Sequence, residues 1–546
     1  MLVFFVAASF LFASAGDMFP LGNSIYNQMD ELFLALGYTS PSTARPWTKA
    51  EATNEFSRLE GASIPLSLQR LYDIIAKTIK SDSAANLRLG LTVAPEMYAH
   101  SNTGFNRDDL WVYGWTRRNP FARLILSGSV GGFSTSTGLE YGWGRVTYKD
   151  TFVPLASLAN PWVGIGAIVP ISCGSILTRG GSYVYGQQVF LNFPDVTMLE
   201  IDTPRRTTFS FAFPYLSISV SRDQISWGSS HIGNFIFDQH VDRSDYVSLK
   251  VFSPRFEFTF ILMPMDGDVA NTNNTDNVVK TRLYLAHRFD WHPVRRFSFA
   301  ISENIMYVTD QVKLQYLNPS FIYHNLNASD AFNAIAHLEM ELVFSPGWKL
   351  FTQFCLDQAK AITENEKQPT SWGLSGGLRH AVSFHEGVME ASWECAYTTP
   401  WLYRREKADF LMFHRYATNL IYKKIPLFTY IGFPYGGDAI VAESDIAWRS
   451  FNGWEATLKG LYLCHGDTSM FSPHNTSEDN DDPPNRKSDR TPTKVAWHAG
   501  YVEAGLSYSF LVPWGALLLR ADLAVVGYRG AWDVQFLFGG EVRVST

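Results

Sequence analysis

Two short segments rich in aromatic and basic side chains are the parts of this sequence best suited to binding a ligand. They contribute Trp401, Tyr403, Arg404 and Arg405, followed by His414, Arg415 and Tyr416. Aromatic rings pack on the C–H faces of sugars, and arginine donates paired hydrogen bonds to carboxylates. These residues therefore predict a site for an acidic glycan. The alternative is an ordinary aromatic girdle whose arginines face water or lipopolysaccharide phosphate.

Motifs for catalysis and for metal binding are not recognised. The sequence has no H-E-x-x-H, P-loop or Cys-x-x-Cys pattern, and we expect no nucleophile elbow of the form G-x-S-x-G in it. Its 13 histidines are scattered without a metal-ligand spacing, and Cys173, Cys355, Cys395 and Cys464 stand alone. We therefore expect no enzymatic activity, no cofactor and no metal. A Ser/His/acid site assembled from separate strands is the alternative.

The composition excludes several classes of protein. Aromatic residues make up 15% of the 546 residues and charged residues only 18%, whereas soluble domains average about 25% charged residues. This composition excludes intrinsic disorder, and a net charge of −7 argues against a nucleic-acid partner. Beyond the N-terminus there is no uncharged apolar run of about 18 residues, so membrane-spanning helices are excluded too. The remaining class is the transmembrane β-barrel, whose signal is alternation.

The C-terminal segment alternates apolar and polar residues with a period of two. Its apolar set is Trp532, Val534, Phe536, Phe538, Val542 and Val544, and its polar set is Asp533, Gln535, Gly539, Glu541 and Arg543. Successive side chains of a strand point to opposite faces, so one face of this strand is apolar and suits lipid. The alternation continues from residue 86 to the end without a helical interruption. That length favours a barrel over a soluble β-sandwich, which is the alternative.

Tight turns give the number of strands. Turn centres near residues 254, 293, 346, 386, 452 and 514 are spaced by about 52 residues on average, enough for two strands and one long loop. The region 85–546 then holds an antiparallel up-and-down barrel of about 18 strands, with 16 as the neighbouring possibility. The polar segments 266–278 and 467–492 are predicted to be extracellular loops, because barrels carry their long loops outside.

The N-terminal part of the chain differs from the rest. Residues 1–15 resemble a secretory signal peptide, with Ala13 and Ala15 at the cleavage site, so we expect the mature chain to begin at Gly16. Residues 16–84 show helical periodicity and a capping box formed by Thr48 and Glu51. They predict a small helical bundle in the periplasm. A helical plug inside the lumen is the alternative.

Several segments in a fixed order resemble the Wzi capsule-assembly family of outer-membrane proteins. The resemblance rests on an Arg, Trp-Gly and Gly pattern in 221–238, on a His-Arg pair in 285–293, on segments 317–325 and 428–440, and on the opening helices. The residues that carry the first two patterns are Arg222, Trp227, Gly228 and Gly233, followed by His287 and Arg288. The likeness spans most of the chain.

The resemblance implies an 18-stranded barrel in the bacterial outer membrane with a periplasmic helical bundle. It implies a lectin-like role in holding capsular or exopolysaccharide at the cell surface, without catalytic residues. The partners expected are outer-membrane lipid and lipopolysaccharide, the polysaccharide itself and the barrel-assembly machinery, with the chain as a monomer. The alternative function is a porin or substrate channel, because charged lumen faces such as Arg520 and Asp522 suit either protein.

Overall fold

A closed β-barrel forms most of the molecule. The computed structural model describes residues 14–80, 85–102, 119–147, 180–185, 198–200, 204–265, 281–309, 312–318, 322–323, 332–358, 370–404, 408–418, 424–468, 490–493, 496–528 and 530–545. Residues 1–13 of the predicted signal peptide and most of the two predicted long loops lie outside these residues. Among the described residues, no helix is long and apolar enough to cross a membrane.

The barrel consists of 18 antiparallel strands, each paired with its neighbours in chain order. They are β1 (Ala85–Val93, continued by Glu96–His100), β2 (Ala122–Val130), β3 (Phe133–Thr147), β4 (Arg206–Phe213), β5 (Leu216–Asp223), β6 (Ser244–Ser253), β7 (Phe256–Met265), β8 (Thr281–Val294), β9 (Phe297–Thr309), β10 (Phe332–Ser345), β11 (Trp348–Gln358), β12 (Ser371–Phe384), β13 (Gly387–Thr398), β14 (Ala439–Ser450), β15 (Trp454–His465), β16 (Trp497–Val512), β17 (Gly515–Tyr528) and β18 (Ala531–Ser545). The larger of the two predicted strand numbers is confirmed.

The barrel closes where its last strand meets its first. β18 pairs antiparallel with both segments of β1, with Val544 opposite Leu91 and Phe536 opposite Ala99. β1 is interrupted at Ala94 and Pro95, because proline has no N–H to give to a ladder. Closure leaves neither β1 nor β18 as a free edge.

The two ends of the barrel differ in the length of their connections. Connections of two or three residues join the strands at one end, which we call the turn end. The connections at the opposite loop end are longer, except for the two-residue connection between β17 and β18. The predicted turn near residue 293 lies slightly later, at Arg295–Arg296, because β8 continues to Val294. In outer-membrane barrels the short turns face the periplasm and the long loops face outward.

The two faces of each strand differ in burial as the alternation predicts. On β18, Phe536 is 39% exposed on the outer face, whereas Gln535 is 1% exposed on the lumen face. Large apolar side chains are exposed all round the outer wall, including Leu126 on β2 and Leu458 on β15. An apolar outer surface of this extent suits lipid, since soluble proteins rarely expose large contiguous apolar patches.

Three helices precede the barrel: α1 (Ser24–Ala35), α2 (Lys49–Ser57) and α3 (Leu66–Lys80). The capping box at the start of α2 is present as predicted, with Thr48 and Glu51 bonding each other's backbone N–H groups. The helices contact the turn end, where Gly347 N donates to Leu34 O at 2.7 Å. The assignment of this region to the periplasm stays a prediction.

Candidate functional site

Segment 39–48, which joins α1 to α2, reaches from the turn end into the lumen. Ser40 N donates to Glu341 Oε2 at 2.9 Å, and Lys349 Nζ donates to Glu341 Oε1 at 2.8 Å and to Ser40 Oγ at 2.5 Å. All three side chains are buried. The inward charges of the wall are therefore neutralised by protein partners, as a buried ion pair requires.

Arg288 on β8 links the same segment to two strands of the wall, β8 and β10. Its guanidinium contacts both carboxylate oxygens of Asp290, with Nη2–Oδ1 at 2.6 Å, and its Nη1 lies 2.9 Å from Glu339 Oε2. Nη2 also donates to Thr43 Oγ1 at 2.6 Å, and the guanidinium carbon lies 5.8 Å from the centre of the Trp227 ring. Arg288, the arginine of the His-Arg pair in the family-like pattern, therefore has a structural role.

The loop 224–243, which joins β5 to β6, folds into the lumen from the loop end. Its residues Ser226–Trp227 pair antiparallel with Ala44–Arg45 of segment 39–48. Chain that enters from the two opposite ends of the barrel thus forms a small sheet inside it. This sheet occludes the middle of the lumen beside β8 and β10.

Two glycines of the family-like pattern make this loop possible. Gly228 has φ of +127°, and a Cβ added there would lie 2.1 Å from Asn234 Oδ1. Gly233 has φ of +133°, and its Cβ would lie 2.2 Å from Pro434 Cδ. Both positions need a residue that tolerates positive φ and has no side chain, which is glycine.

A hydrophobic core fills the loop-end half of the lumen. It contains Trp227, Ile232, Phe235 and Phe237 from the loop 224–243, inward residues of the wall such as Tyr284 and Met306, and Phe410, Tyr430 and Phe433 from the connection between β13 and β14. Trp227 and Phe237 pack edge to face with their ring centroids 4.8 Å apart. Burial on this scale excludes water from that part of the barrel.

Tyr403, one of the predicted glycan contacts, belongs to this core. Its side chain is 1% exposed, its hydroxyl donates to Phe235 O at 2.7 Å, and the hydroxyl oxygen accepts from Phe433 N at 2.9 Å. Burial raises the pKa of Tyr403 well above its usual range. The residue joins the loop 224–243 to the segment that precedes β14.

Two more of the predicted contacts are buried beside it. Trp401 is 8% exposed and Arg404 is 4% exposed, with Arg404 Nε lying 3.4 Å from Asp409 Oδ2. Their neighbour Arg405 lies outside the described residues. Three of the seven predicted residues therefore have partners within the protein, and the prediction of direct glycan contact depends on the other four.

Loops from opposite walls pair with each other at the loop end. The lid, as we call this sheet, runs from the end of β3 through Gly180–Tyr185, Met198–Glu200 and Leu411–Thr418 to Lys424–Tyr430. Its first members follow β3 and its last members follow β13, which are ten strands apart in the barrel of 18. The lid therefore spans the mouth of the loop end. His414, Arg415 and Tyr416 lie in its strand Leu411–Thr418.

The remaining residues of the family-like pattern lie on the outer wall. Arg222 on β5 forms a two-pronged ion pair with Asp245 on β6, with N–O distances of 2.7 and 3.0 Å. His287 on β8 lies 3.3 Å from Glu303 on β9, and its ring stacks on Tyr323 at 5.0 Å. These contacts join neighbouring strands, and they indicate a structural contribution.

Part of the connection between β9 and β10 covers this outer pair. Tyr316 and Tyr323 pack over outward residues of β7 to β10, so that Leu285, which faces outward, is completely buried. Tyr323 N also donates to Glu303 Oε2 at 2.9 Å. Sequence alternation placed Leu285 on the lipid face, and the structure puts protein between it and lipid.

Water-accessible space lies beside the N-terminal segment. A cavity of about 550 Å³ lies at the turn end of β1 to β4. Its lining includes serines and threonines of the wall, Lys49 and Lys77 of the helices, and Arg88 of β1. The lumen is thus packed beside β7 to β13 and retains water-accessible space beside β1 to β4.

A match to the spacing of a nucleophile elbow does occur in the chain. Gly373-Leu374-Ser375-Gly376-Gly377 has the form G-x-S-x-G, so the expectation that the sequence lacks this pattern was wrong. Ser375 lies in the middle of β12, with Gly376 opposite Cys395 in the ladder. An elbow requires a strand-to-helix turn, and this segment is a continuous strand. The run is therefore part of the barrel wall.

The buried pairing inside the lumen was not found from the sequence. Trp227 and the two glycines of its loop were singled out only through the family resemblance, and nothing near them indicates Ala44 as a partner. Lys250 and Glu257 alternate with apolar residues, as inward residues of a water-filled barrel also do. Local periodicity therefore shows that these side chains face inward, but it does not identify their partners on other elements.

Comparison with known proteins gives a likeness in structure. No protein-family model and no curated protein matches the chain. Among solved structures, Wzi of Escherichia coli, described as an outer-membrane protein involved in group 1 capsule assembly and a carbohydrate-binding β-barrel, superposes with a TM-score of 0.56 at 12% identity. The match covers 96% of this chain and 99% of Wzi. The chain has the fold of Wzi. The resemblance predicted from sequence is confirmed at the level of fold.

Two further solved structures, both from Pseudomonas aeruginosa, are more distant. OprD is 8% identical with a TM-score of 0.36, and OccK2 (OpdF) is 7% identical with a TM-score of 0.39. Both matches cover 84% of this chain, with 94% of OprD and 98% of OccK2 covered in turn. The fold shared with Wzi and the apolar outer wall, not these two distant matches, make this chain a β-barrel of the bacterial outer-membrane type.

Proposed function

We propose that this barrel binds surface polysaccharide at its loop end and anchors it there, without catalysis, as a protein of the capsule-assembly type. The observation that carries the proposal is the occlusion of the lumen by the sheet of Ser226–Trp227 and Ala44–Arg45. Because the interior of the barrel is packed in this way, we take the loop end as the part of the barrel that binds the polysaccharide. The lid lies at that end and links loops from opposite walls.

The chemistry of the lid supports a glycan ligand. Its strand Leu411–Thr418 carries His414, Arg415 and Tyr416 in sequence. Arginine binds carboxylates through paired charge-assisted hydrogen bonds, and tyrosine offers an apolar ring with a polar end. An acidic polysaccharide presents both kinds of partner. Wzi, which shares the fold, is described as carbohydrate-binding, and we extend that property to this chain as part of the proposal.

Binding of the acidic polysaccharide from the same cell surface tests the proposal. We expect purified full-length protein to retain the polymer and Arg415→Ala with Tyr416→Ala to reduce retention at least about tenfold, since a paired arginine contact and an aromatic contact are both removed. Arg543→Ala is the matched control, because Arg543 lies at the turn end. Equal retention by the control and the lid variant would count against the lid as the binding surface.

A channel is the second candidate, and the cavity beside β1 to β4 is the observation that favours it. If this space continued through the barrel, small solutes would pass along the wall opposite the packed half. Conductance in planar bilayers distinguishes the two functions. We expect no steady current from the polysaccharide-binding protein, whereas a steady open-channel current would support the channel and contradict occlusion.

A further inference from the structure

Three potential metal ligands from two parts of the chain meet inside the barrel. His231 belongs to the loop 224–243, whereas Glu443 and Asp445 face inward from β14. One ring nitrogen and one oxygen atom of each carboxylate all lie within 4.8 Å of one another. Across the described part of the chain, no second group of three or more His, Cys, Asp or Glu side chains meets in this way.

Glu443 gives an independent indication that a cation belongs at this place. The residue is 6% exposed, and its Oε2 pairs with Lys459 Nζ at 3.0 Å. Its buried Oε1 has no hydrogen-bond partner. A buried carboxylate oxygen without a partner is unfavourable, and a metal ion would supply the missing partner.

One ring nitrogen of His231 has neighbours of the kind that fix the tautomer of a metal-binding histidine. Its Nδ1 lies 3.2 Å from Ser392 Oγ and 3.9 Å from Glu394 Oε1. Histidines that bind metals donate their other ring N–H to a hydroxyl, carbonyl or carboxylate, which fixes the tautomer. With Nδ1 used in this way, Nε2 is the nitrogen available to a metal. The His231 side chain is 36% exposed, so an ion in solution can reach it.

The charges around this group leave an excess of negative charge. Four carboxylates face two cations, namely Glu390, Glu394, Glu443 and Asp445 against Arg379 and Lys459. A third cation nearby, Arg449, is engaged by Glu31 and Glu455. One divalent cation would neutralise the two remaining negative charges.

We propose that His231, Glu443 and Asp445 form a binding site for a divalent transition-metal ion. One imidazole and two carboxylates are a donor set that suits Zn²⁺ and its neighbours. The ion would join the loop 224–243 to β14 and hold the loop in the lumen. Because 212 residues separate His231 from Glu443 in the chain, no local spacing could reveal the site.

Calorimetric titration of chelator-treated full-length protein in detergent with Zn²⁺ tests the proposal. We expect one high-affinity Zn²⁺ per chain. His231→Ala and Glu443→Gln should each weaken binding by more than about tenfold, as the loss of a metal contact does. His385→Ala is the matched control, because it removes an exposed histidine from the turn between β12 and β13 and should leave the affinity unchanged.

Each outcome decides the question. Absence of Zn²⁺ binding by the unaltered protein overturns the proposal, and so does binding that all the variants retain. Loss of binding in His385→Ala would mean an adventitious surface ion and would overturn it as well. Heat-modifiable migration of each variant on gels establishes that its barrel has formed. Asp445→Asn provides a third ligand variant should His231→Ala or Glu443→Gln fail to fold.

Discussion

Lys250 Nζ on β6 lies 2.9 Å from Glu51 Oε2 on α2, and both side chains are buried. The same ammonium group donates to Ala44 O at 2.8 Å and to Pro46 O at 3.0 Å. A single lysine of the barrel wall therefore holds both the helix and the segment that enters the lumen. Through this contact the helical region contributes to the stability of the barrel.

Removing one partner of this pair should destabilise the protein strongly. Glu51→Gln leaves a buried ammonium with less compensation, and breaking a buried pair in this way costs about 3–5 kcal/mol. The triple variant Glu51→Gln, Lys250→Met and Glu257→Gln should recover part of the loss, because Glu257 also pairs with Lys250 at 3.6 Å and all three charges of this buried group are then removed. Unfolding in urea of refolded protein in lipid vesicles measures both. A triple variant no more stable than Glu51→Gln would contradict this account.

Glu31 on α1 should make stability depend on pH. Burial raises its pKa to about 8, with Arg449 opposing the shift and Glu390 adding to it. A carboxyl whose pKa is raised by folding stabilises the protein fully below its ordinary pKa, and this contribution is lost as pH rises towards 8. We therefore expect Glu31→Gln to lose less stability than the unaltered protein between pH 5 and pH 8, measured by urea unfolding at each pH. If the free energy of unfolding changed with pH identically in both proteins, Glu31 would not titrate in this range.

Adjacent positions on β15 should respond oppositely to a new charge. Leu458 faces lipid near the middle of the strand, and arginine there should cost about 2–4 kcal/mol. Thr457 faces the lumen opposite Gly505, and Asp522 lies on the other side of that glycine. An arginine at position 457 can therefore pair with the Asp522 carboxylate. Folding of both variants into vesicles compares the two faces at one depth. A larger loss for Thr457→Arg would mean that the faces are reversed.

Gly228→Ala should loosen the loop 224–243. The positive φ and the close approach of Asn234 leave no space for a Cβ, so we expect easier proteolysis of the loop and a measurable increase in bilayer conductance. Gly128→Ala on β2 is the control, since its added Cβ would meet nothing closer than 3.6 Å. If both variants stay closed and resist protease equally, the loop does not occlude the lumen.

The barrel was predictable because its signals are local. Alternation around Gln535 and Phe536 gives the two faces, and the Thr48–Glu51 capping box gives the start of α2 from four consecutive residues. Neither inference requires knowledge of another element. The number of strands followed from turns that all lie at one end.

The interior was not predictable, because its determinants are contacts between distant residues. Tyr403 and Trp401 are residue types of a sugar site, and only the fold shows that both are buried and that Tyr403 contacts the loop 224–243. Leu285 alternates like every lipid-facing residue, and only the fold brings Tyr323 over it. In both cases the residue type indicates an apolar or aromatic contact, and tertiary packing determines which residue is the partner.

The seam between β1 and β18 has a consequence for the order of assembly. The last strand pairs with the first, and segment 39–48, which comes before β1 in the chain, lies inside the wall that this pairing completes. A chain still open between β1 and β18 exposes Lys250, Arg288 and Lys349 to water before their interior partners are enclosed. Closure of the barrel and packing of its interior should therefore occur in one cooperative step. The N-terminal residues are synthesised first, yet they reach their final environment last.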